Sequence, residues 1–243
     1  NPFPDVLSIL PNWRVTYNGL SKLEAVKKWF KAFTISHAYQ CTYTVGSFTS
    51  FTDWVSIGDG LGFTEDVSTG NPMPSSPYNI TSVTITEKFA PLVGVKVTLY
   101  NNMTFNAEYR DSRTLSLNSS AGQIVEAAQK SFKLGAGYKI ANFNTVLKLK
   151  GSQKNVNNDL TLNFDFAFNN NNALIRKIET GLTQATSGTQ SMTINFTANY
   201  VVSKRLTVGA YFDHQVNTPL VSSTAYPTSN SNFGVSINMS LAK

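Results

Sequence analysis

Few residues in this sequence could do chemistry. It contains two histidines, His37 and His214, and a single cysteine, Cys41, so no disulfide can form within the chain. Neither histidine has a nucleophile or a set of metal ligands at a recognisable spacing. Asp213 directly precedes His214, but adjacent residues of a strand point to opposite faces, so the two side chains are not expected to act together. Because no Gly-rich phosphate loop occurs either, we predict no enzymatic activity, no metal and no cofactor.

The acidic side chains between residues 46 and 79 are the one group that could hold an ion. This Gly-, Ser- and Pro-rich segment contains no Lys or Arg, and its acidic residues are Asp53, Asp59, Glu65 and Asp66. The pattern admits a calcium site around Asp59, although it matches no complete ligand set. We predict that the segment forms the longest loop, since it has too many aromatic residues for a disordered linker. It is either a folded extracellular or gating loop, or an ordinary packed surface loop.

Strict alternation of apolar and polar residues is the main pattern of the chain. In the stretch from Val93 to Leu117, two such runs flank Asn101 and Asn102, which favour a tight turn. Period two predicts strands with one face in an apolar medium and the other in a polar one. The second run is about 15 residues long, whereas soluble strands have roughly 5–6 residues and a membrane-crossing strand needs about 9–11. The alternation therefore predicts an all-β fold, an antiparallel transmembrane β-barrel segment.

The composition is compatible with such a barrel. Charged residues make up 14% of the chain and hydrophobic residues 41%, and the mean hydropathy is −0.15. Soluble domains average roughly 25% charged residues. No apolar run approaches the roughly 18 residues of a membrane helix, which excludes a helical membrane protein. The net charge of +6 is scattered, with no basic helix or aromatic-basic motif, so we predict no nucleic-acid partner.

The alternating runs continue to the C-terminus and predict about eleven long strands, with one short helix near the N-terminus. A capping box formed by Ser21 and Glu24 is expected to open that helix. The missing amide donor of Pro91 predicts a bulge or bend in its strand. Short connections are predicted at 101–102, 141–142, 169–172 and 203–204, and mostly longer ones at 46–79, 118–123, 151–158, 184–189 and 218–231.

The two sets of connections predict an orientation in the membrane. Bacterial barrels have short periplasmic turns and long outer loops, so the short-turn end and the C-terminus are predicted to be periplasmic. Aromatic residues expected to form a girdle near that end are Tyr17, Tyr100, Tyr138, Phe143, Phe168 and Tyr200. Single-chain bacterial barrels close with an even number of strands. The odd count and the lack of a signal peptide predict that residues 1–243 are a single section of a larger, incomplete barrel.

The polar-phase residues of the strands are the candidates for a pore-facing surface. Asn, Ser and Thr replace much of the missing charge, and they can line a wet lumen without the cost of burying ions. For any single residue, an ordinary solvated strand face is the alternative. The candidates are Lys96, Asn106, Glu108, Arg110, Lys133, Asn163, Asp165, Asn195 and Asn199.

Several short blocks carry a resemblance to a known family. They are Leu10–Tyr17, Gly19–Lys22, Phe89–Gly94, Ile175–Ile178, Thr186–Gly188, Val216–Pro219 and Pro227–Asn230. Through these blocks, which are spread over essentially the whole chain, the sequence resembles the C-terminal end of the SprA/Sov family, the outer-membrane translocons of the type IX secretion system of Bacteroidota. The last residues, Leu241–Lys243, lack the terminal aromatic common in outer-membrane barrels.

The resemblance implies that the chain is one portion of a very large barrel, associated with gliding motility, whose pore passes folded cargo proteins to the cell surface. It also implies partners other than membrane lipid and the cargo. These are the remaining strands of the same barrel, a small barrel of the PorV type at a lateral opening, and a plug protein at the periplasmic end. No contact with them is assigned to particular residues.

Two other functions stay open on the sequence. A self-contained diffusion porin or uptake barrel would have an even number of strands and a precursor of about this length. A soluble all-β adhesion or sandwich domain would have shorter strands and would bury its apolar face against a second sheet.

Overall fold

A computed structural model describes residues 11–149, 152–203, 205–221 and 225–240. Over these residues the chain is all-β, and the prediction of a large antiparallel sheet is confirmed. A 3-10 turn (Gly19–Lys22) and one short helix, α1 (Glu24–Lys27), follow the first strand. The strands are β1 (Trp13–Tyr17), β2 (Phe30–Ser50), β3 (Val55–Gly58), β4 (Leu61–Glu65), β5 (Pro72–Pro74), β6 (Tyr78–Leu99), β7 (Met103–Asn118), β8 (Gln123–Leu149), β9 (Ser152–Lys177), β10 (Thr183–Ser203), β11 (Leu206–Pro219) and β12 (Thr228–Met239).

Nine of these strands form one sheet in the order β1-β2-β6-β7-β8-β9-β10-β11-β12, while β3, β4 and β5 form a small sheet of their own. Each strand of the large sheet runs antiparallel to its neighbours. Neighbours in this sheet are also neighbours in sequence, except that the small sheet is inserted between β2 and β6. In the described part of the chain, β1 and β12 are the two edges and do not pair with each other, so the sheet is open.

The large sheet is a single layer. Among the described residues, the buried hydrophobic side chains are Ala38, Tyr39 and Val97, and no second sheet or helix covers either face of the middle strands. Phe164 and Phe196, at the centre of the sheet, are each 41% exposed. A soluble sandwich would bury such residues against a second layer. The apolar side chains of this sheet therefore lie uncovered in the described chain.

The large sheet has nine strands rather than the predicted number of about eleven, because two predicted turns do not form. The first of them, at 141–142, is a bulge. Asn142 does adopt the positive φ that its type favours, at 56°. The chain does not reverse there, however: the pairing of β8 with β9 only shifts register, between Ile140 and Phe143. As a result β8 continues for 27 residues, and the predicted 141–142 turn lies within it.

The predicted turn at 169–172 and the predicted loops at 151–158 and 184–189 are also wrong. The four asparagines lie inside β9, where Asn170 pairs with Lys130 on one side and Gln190 on the other. Residues 152–158 begin β9, and residue 151 lies outside the described residues. Residues 184–189 belong to β10, with a bulge between Ala185 and Ser187. Ladder partners on both sides override the turn preference of asparagine, since strand propensity depends on context.

Two predicted irregularities are confirmed. The hairpin between β6 and β7 turns at residues 100–102, where Asn102 has φ 64° and its amide donates to the Leu99 carbonyl at 3.3 Å. The bulge at Pro91 interrupts the pairing of β6 with both of its neighbours. Toward β7 the register shifts between Phe89 and Val93, and toward β2 it shifts opposite the same segment. The Ala90–Pro91 peptide bond is cis.

The predicted capping box does not form. The Ser21 hydroxyl donates to the Asn18 carbonyl at 2.8 Å, which stabilises the 3-10 turn before the helix. Helix α1 begins at Glu24 with Leu23 as its N-cap, and it has no side-chain cap. Because Leu23 occupies the N-cap position, Ser21 lies two residues too early to satisfy the first amides of α1.

The 46–79 segment is mostly structured rather than a loop. Strand β2 extends into it as far as Ser50, and β6 begins at Tyr78, where the Phe51 amide donates to the Pro77 carbonyl at 3.0 Å. Between them the three short strands form the small sheet, with a turn of positive φ at residues 58–60. The prediction that residues 46–79 form one long loop is therefore wrong, because strands occupy more than half of the segment.

The connections of the large sheet separate into two ends. At one end lie the strand ends Leu99 and Met103, Leu149 and Ser152, and Ser203 and Leu206, together with the segment that carries α1. At the other end lie Ser50 and Tyr78, Asn118 and Gln123, Lys177 and Thr183, and Pro219 and Thr228. The predicted asymmetry between short and longer connections is present only in part. The predicted connections at 141–142, 151–158, 169–172 and 184–189 are wrong, while a short break after Leu149 and a longer one after Lys177 were not predicted. No helix in the described residues has the length and apolar character needed to cross a membrane.

Candidate functional site

The pairing registers place all nine candidate pore-facing residues on one side of the large sheet, here called the polar face. Lys96 pairs with Asn106, and Asp165 pairs with Asn195. Gly135 joins these two pairs, since it opposes both Asn106 and Asp165. Directly opposed residues of paired strands share a face. The remaining five, which follow on the same face by pairing or by alternation, are Glu108, Arg110, Lys133, Asn163 and Asn199.

Polar contacts on this face are local and mostly uncharged. Arg110 Nη2 lies 2.8 Å from Glu108 Oε2, and both side chains are partly exposed. Asn163 Nδ2 donates to Thr197 Oγ1 across neighbouring strands at 3.2 Å. Gly209 faces Asn199, whose side-chain oxygen lies 2.5 Å from the position that a Cβ would occupy. The polar face thus offers hydrogen-bonding groups over a wide area, and these contacts do not converge on one reactive centre.

The opposite side of the sheet, here called the apolar face, carries continuous rows of hydrophobic residues. On β10 the apolar positions run from Met192 to Tyr200, and on β9 from Leu160 to Phe168. One row crosses eight neighbouring strands, each member pairing with the next, and it contains Phe33, Val97, Phe105, Ala136, Phe164, Phe196, Phe212 and Phe233. We call the rows between the levels of Met192 and Tyr200 the apolar band.

Aromatic residues lie at both ends of the apolar band. At the short-turn end, the Tyr200 hydroxyl donates to the Phe143 carbonyl at 3.2 Å, and the two rings meet edge to face at 6.0 Å. Phe168 lies at the other end, paired with Phe132 and Met192, because residues 169–172 are not a turn. Its predicted place in a girdle at the short-turn end is therefore wrong.

The apolar face also carries a cluster of charged residues beyond the band, toward the end with longer connections. Glu126 accepts from Arg113 Nε at 2.7 Å, and its other oxygen lies 3.7 Å from Arg176 Nη2. This cluster was not predicted from the sequence. The sequence does contain an indication of it: Arg113, Glu126 and Arg176 each stand at a position where the alternation of the strand would place an apolar residue. Charge in that phase marks where the face leaves an apolar medium.

An aromatic cluster packs beside the edge strand β1. Tyr39, which is 4% exposed, stacks against Trp13 at 4.5 Å and tilts against Phe89 at 4.9 Å. Its hydroxyl donates to Glu87 Oε1 at 3.1 Å. The same cluster contains His37, whose Nδ1 lies 2.6 Å from a main-chain carbonyl of β6. These contacts account for His37 as a packed side chain with a hydrogen-bond partner.

The other candidate chemical groups stand apart from each other. His214 Nδ1 lies 2.7 Å from Ser231 Oγ on the apolar face, whereas Asp213 pairs with Asn195 on the polar face. Cys41 is a free, half-buried thiol. Within the described ranges, no three His, Cys, Asp or Glu side chains lie close enough together to hold a metal ion.

Two acidic residues of the small-sheet insertion lie in turns, and Asp66 forms hydrogen bonds within its own turn. Asp59 lies in the β3–β4 turn with φ 51°. The Ser68 hydroxyl, the Ser68 amide and the Thr69 amide donate to Asp66 Oδ1 at 2.5, 2.8 and 3.2 Å. These hydrogen bonds, that of the Ser68 hydroxyl above all, hold the pKa of the Asp66 carboxyl below its ordinary value of 3.8.

Comparison with known proteins adds no relative: no protein-family model matches the chain, and no curated protein shows significant similarity to it.

Proposed function

We propose that the chain is a section of the wall of a large outer-membrane β-barrel that conducts folded proteins. The observation that carries the proposal is the two-faced single layer: an uninterrupted apolar band on one side and a polar surface on the other. Neither face is covered by a second layer in the described residues. A bilayer outside and water inside would satisfy both faces at once.

The height of the apolar band supports a membrane setting. From Met192 to Tyr200 the strand rises about 26 Å, at roughly 3.3 Å per residue. With a strand tilt of about 40°, this corresponds to about 20 Å along the membrane normal, and the terminal side chains extend it. The outward apolar band of known barrels is about 25 Å tall. The strands themselves, of 21 to 27 residues in β2, β6, β8, β9 and β10, are longer than the band requires.

The open edges support a section rather than a complete barrel. Tilted strands about 4.8 Å apart each add roughly 6 Å of circumference, so nine strands would close to a backbone diameter of about 18 Å. Side chains would fill much of that space. A folded domain of 100 residues has a radius of gyration of about 13 Å and could not pass. Protein conduction therefore requires further strands, which would pair with the free edges of β1 and β12.

In this proposal, folded cargo proteins and the outer membrane are inferred from the resemblance to the SprA/Sov translocons. The chain would act passively: the polar face lines the path of exported folded proteins, and the apolar face seals against lipid or a neighbouring barrel. Direction would come from the cargo and from partners such as a PorV-type barrel and a periplasmic plug. The short-turn end, where β12 ends at Met239, would face the periplasm.

Site-directed labelling tests which face meets water. In a Cys41→Ser background, Asn195→Cys and Phe196→Cys place single thiols at adjacent positions on opposite faces. In intact outer membrane we expect a hydrophilic maleimide to label position 195 and a lipid-soluble maleimide to label position 196. Labelling of both positions by the hydrophilic reagent would contradict the membrane setting.

The mass of the intact denatured polypeptide tests whether the chain is part of a larger barrel. A species far larger than 26.6 kDa is expected from the source outer membrane. A discrete species near 26.6 kDa, with no companion fragment, would instead support a self-contained diffusion porin. If the mass is large, attaching a bulky hydrophilic maleimide at position 195 should reduce export of folded cargo. The control is the Cys41→Ser protein without the Asn195→Cys change, treated with the same reagent.

A further inference from the structure

A cavity opens on the polar face beside the Pro91 bulge. Its volume is about 230 Å³, and it is formed by strands β6 to β9. Phe89 and Ala90 form part of its lining, and basic and polar side chains form the rest. The polar and basic side chains used below are Lys88, Arg110, Gln129, Ser131, Lys133 and Asn169.

The sheet register explains why these residues meet. Arg110 of β7 opposes Ser131 of β8, and Ser131 opposes Asn169 of β9. Lys133 lies two positions from Ser131 on the same face, next to this row. On the β6 side of the cavity, the register shift at the bulge begins after Phe89. Lys88 is therefore the last polar-face residue of β6 that pairs with β7 before the shift.

The charges that line the cavity are unbalanced. Lys88, Arg110 and Lys133 are cationic and none of the lining residues is acidic, although Glu108 beside the cavity accepts from Arg110 Nη2 at 2.8 Å. The lining itself is therefore positively charged at pH 7. Arg110 carries five N–H donors, and a single bond to Glu108 leaves the others for a further acceptor.

Ser131 gives an independent indication of a ligand. It is only 5% exposed, and its Oγ has no hydrogen-bond partner in the part of the chain that the structure describes. A buried hydroxyl without a partner is unfavourable, so native structures rarely leave one unexplained. Here the unpartnered hydroxyl lines the same cavity as the three cationic side chains.

We propose that this cavity binds an oxyanion, a phosphate or a carboxylate group. The guanidinium of Arg110 supplies parallel donors that match such an anion, Lys88 and Lys133 supply charge, and the Ser131 hydroxyl donates to one of its oxygens. The proposal goes beyond the function proposed above, because anion binding at this cavity does not require the sheet to enclose a pore.

Calorimetric titration of the full-length protein in zwitterionic detergent micelles, at low ionic strength, tests the site. Two probes are used separately, inorganic phosphate and a short peptide of glutamates, and the one that binds more tightly identifies the source of the oxyanion. Lys133→Gln and Lys88→Gln should each weaken binding about three- to tenfold, since each removes a charge at a partly exposed site. The matched control is Lys130→Gln, which makes the same change next to Ser131 but on the opposite face.

Ser131→Ala separates a ligand contact from a structural role. Removing an unpartnered hydroxyl should leave thermal stability unchanged or raise it, whereas anion affinity should fall about two- to fivefold. Equal weakening by Lys130→Gln would overturn the proposal, because it would indicate a general attraction to positive charge. So would the absence of saturable binding of either probe below about 10 mM, which corresponds to an affinity too weak for a built site.

Discussion

Placing an arginine at three positions of strand β10 measures what surrounds each face of the sheet. Phe196 lies midway between Met192 and Tyr200, at the centre of the apolar band, and Met192 lies at its edge. Asn195 is the sequence neighbour of Phe196 on the polar face. The three variants Phe196→Arg, Met192→Arg and Asn195→Arg therefore share one strand and one new residue, and they differ only in face and depth.

The expected magnitudes follow from position and packing. An arginine facing lipid costs about 2–4 kcal/mol at the bilayer midplane and about 0–1 kcal/mol near the interface. Phe196 is 41% exposed in the single layer, so a little over half of it packs on its neighbours. Losing that packing adds roughly 1 kcal/mol, because the arginine stem replaces part of it. We expect about 3–5 kcal/mol for Phe196→Arg, about 1–2 kcal/mol for Met192→Arg, and within about 0.5 kcal/mol of zero for Asn195→Arg.

The assay is equilibrium unfolding by urea of the protein in phospholipid vesicles, followed by tryptophan fluorescence. A graded loss that depends on depth is specific to a bilayer, because a protein core has no midplane. Equal losses for Phe196→Arg and Met192→Arg would indicate a covering protein layer and refute the membrane argument. A loss for Asn195→Arg as large as that for Phe196→Arg would refute the assignment of the faces.

Three further outcomes are expected. The folded-state pKa of Asp66 is lowered, so its hydrogen bonds should stabilise the turn fully above the ordinary pKa of 3.8 and weaken as the pH falls through the lowered pKa. Amide hydrogen exchange at Ser68 should follow this pH profile, and Asp66→Asn should abolish the pH dependence. Glu126→Gln should destabilise the protein by about 1 kcal/mol or less in thermal melts, since its arginine partners are about half exposed, and added salt should reduce the effect. Tyr39→Phe should destabilise by about 1 kcal/mol through loss of the bond to Glu87, and the double variant with Glu87→Gln should show that the two effects do not add.

The faces of the strands could be predicted from sequence, because period two is fixed by the geometry of the backbone. Wherever apolar residues alternate, as from Leu160 to Phe168, the face assigned from the sequence agrees with the observed register. The turn at Asn101–Asn102 was also predictable, since it separates two runs whose apolar residues become cross-strand partners, such as Val97 and Phe105.

The ends of the strands could not be predicted in the same way. Beyond Phe168, β9 carries four asparagines in a row, so apolar and polar residues no longer alternate and residues 169–172 resemble a turn. They form strand because β8 and β10 pair on either side, which is a long-range effect that the local sequence does not contain. At Asn142 the local signal was correct, but positive φ is required by a bulge as well as by a hairpin.

The anion cavity was not visible in the sequence either. Arg110 and Lys133 were singled out as polar-phase residues, but Lys88 and Ser131 were not. What joins the four is the register of three strands and a bulge at Pro91, and only the folded sheet supplies these.

The strand order of the large sheet has a consequence for how such a wall could grow during evolution. From β7 to β12, every strand pairs with the one before it in the chain. Duplicating one hairpin would therefore insert two strands without rethreading any other, and would widen an enclosed ring by about 4 Å in diameter. The circumference of such a protein is then set by the number of repeated hairpin units in its gene, while each unit keeps the same inner and outer surface.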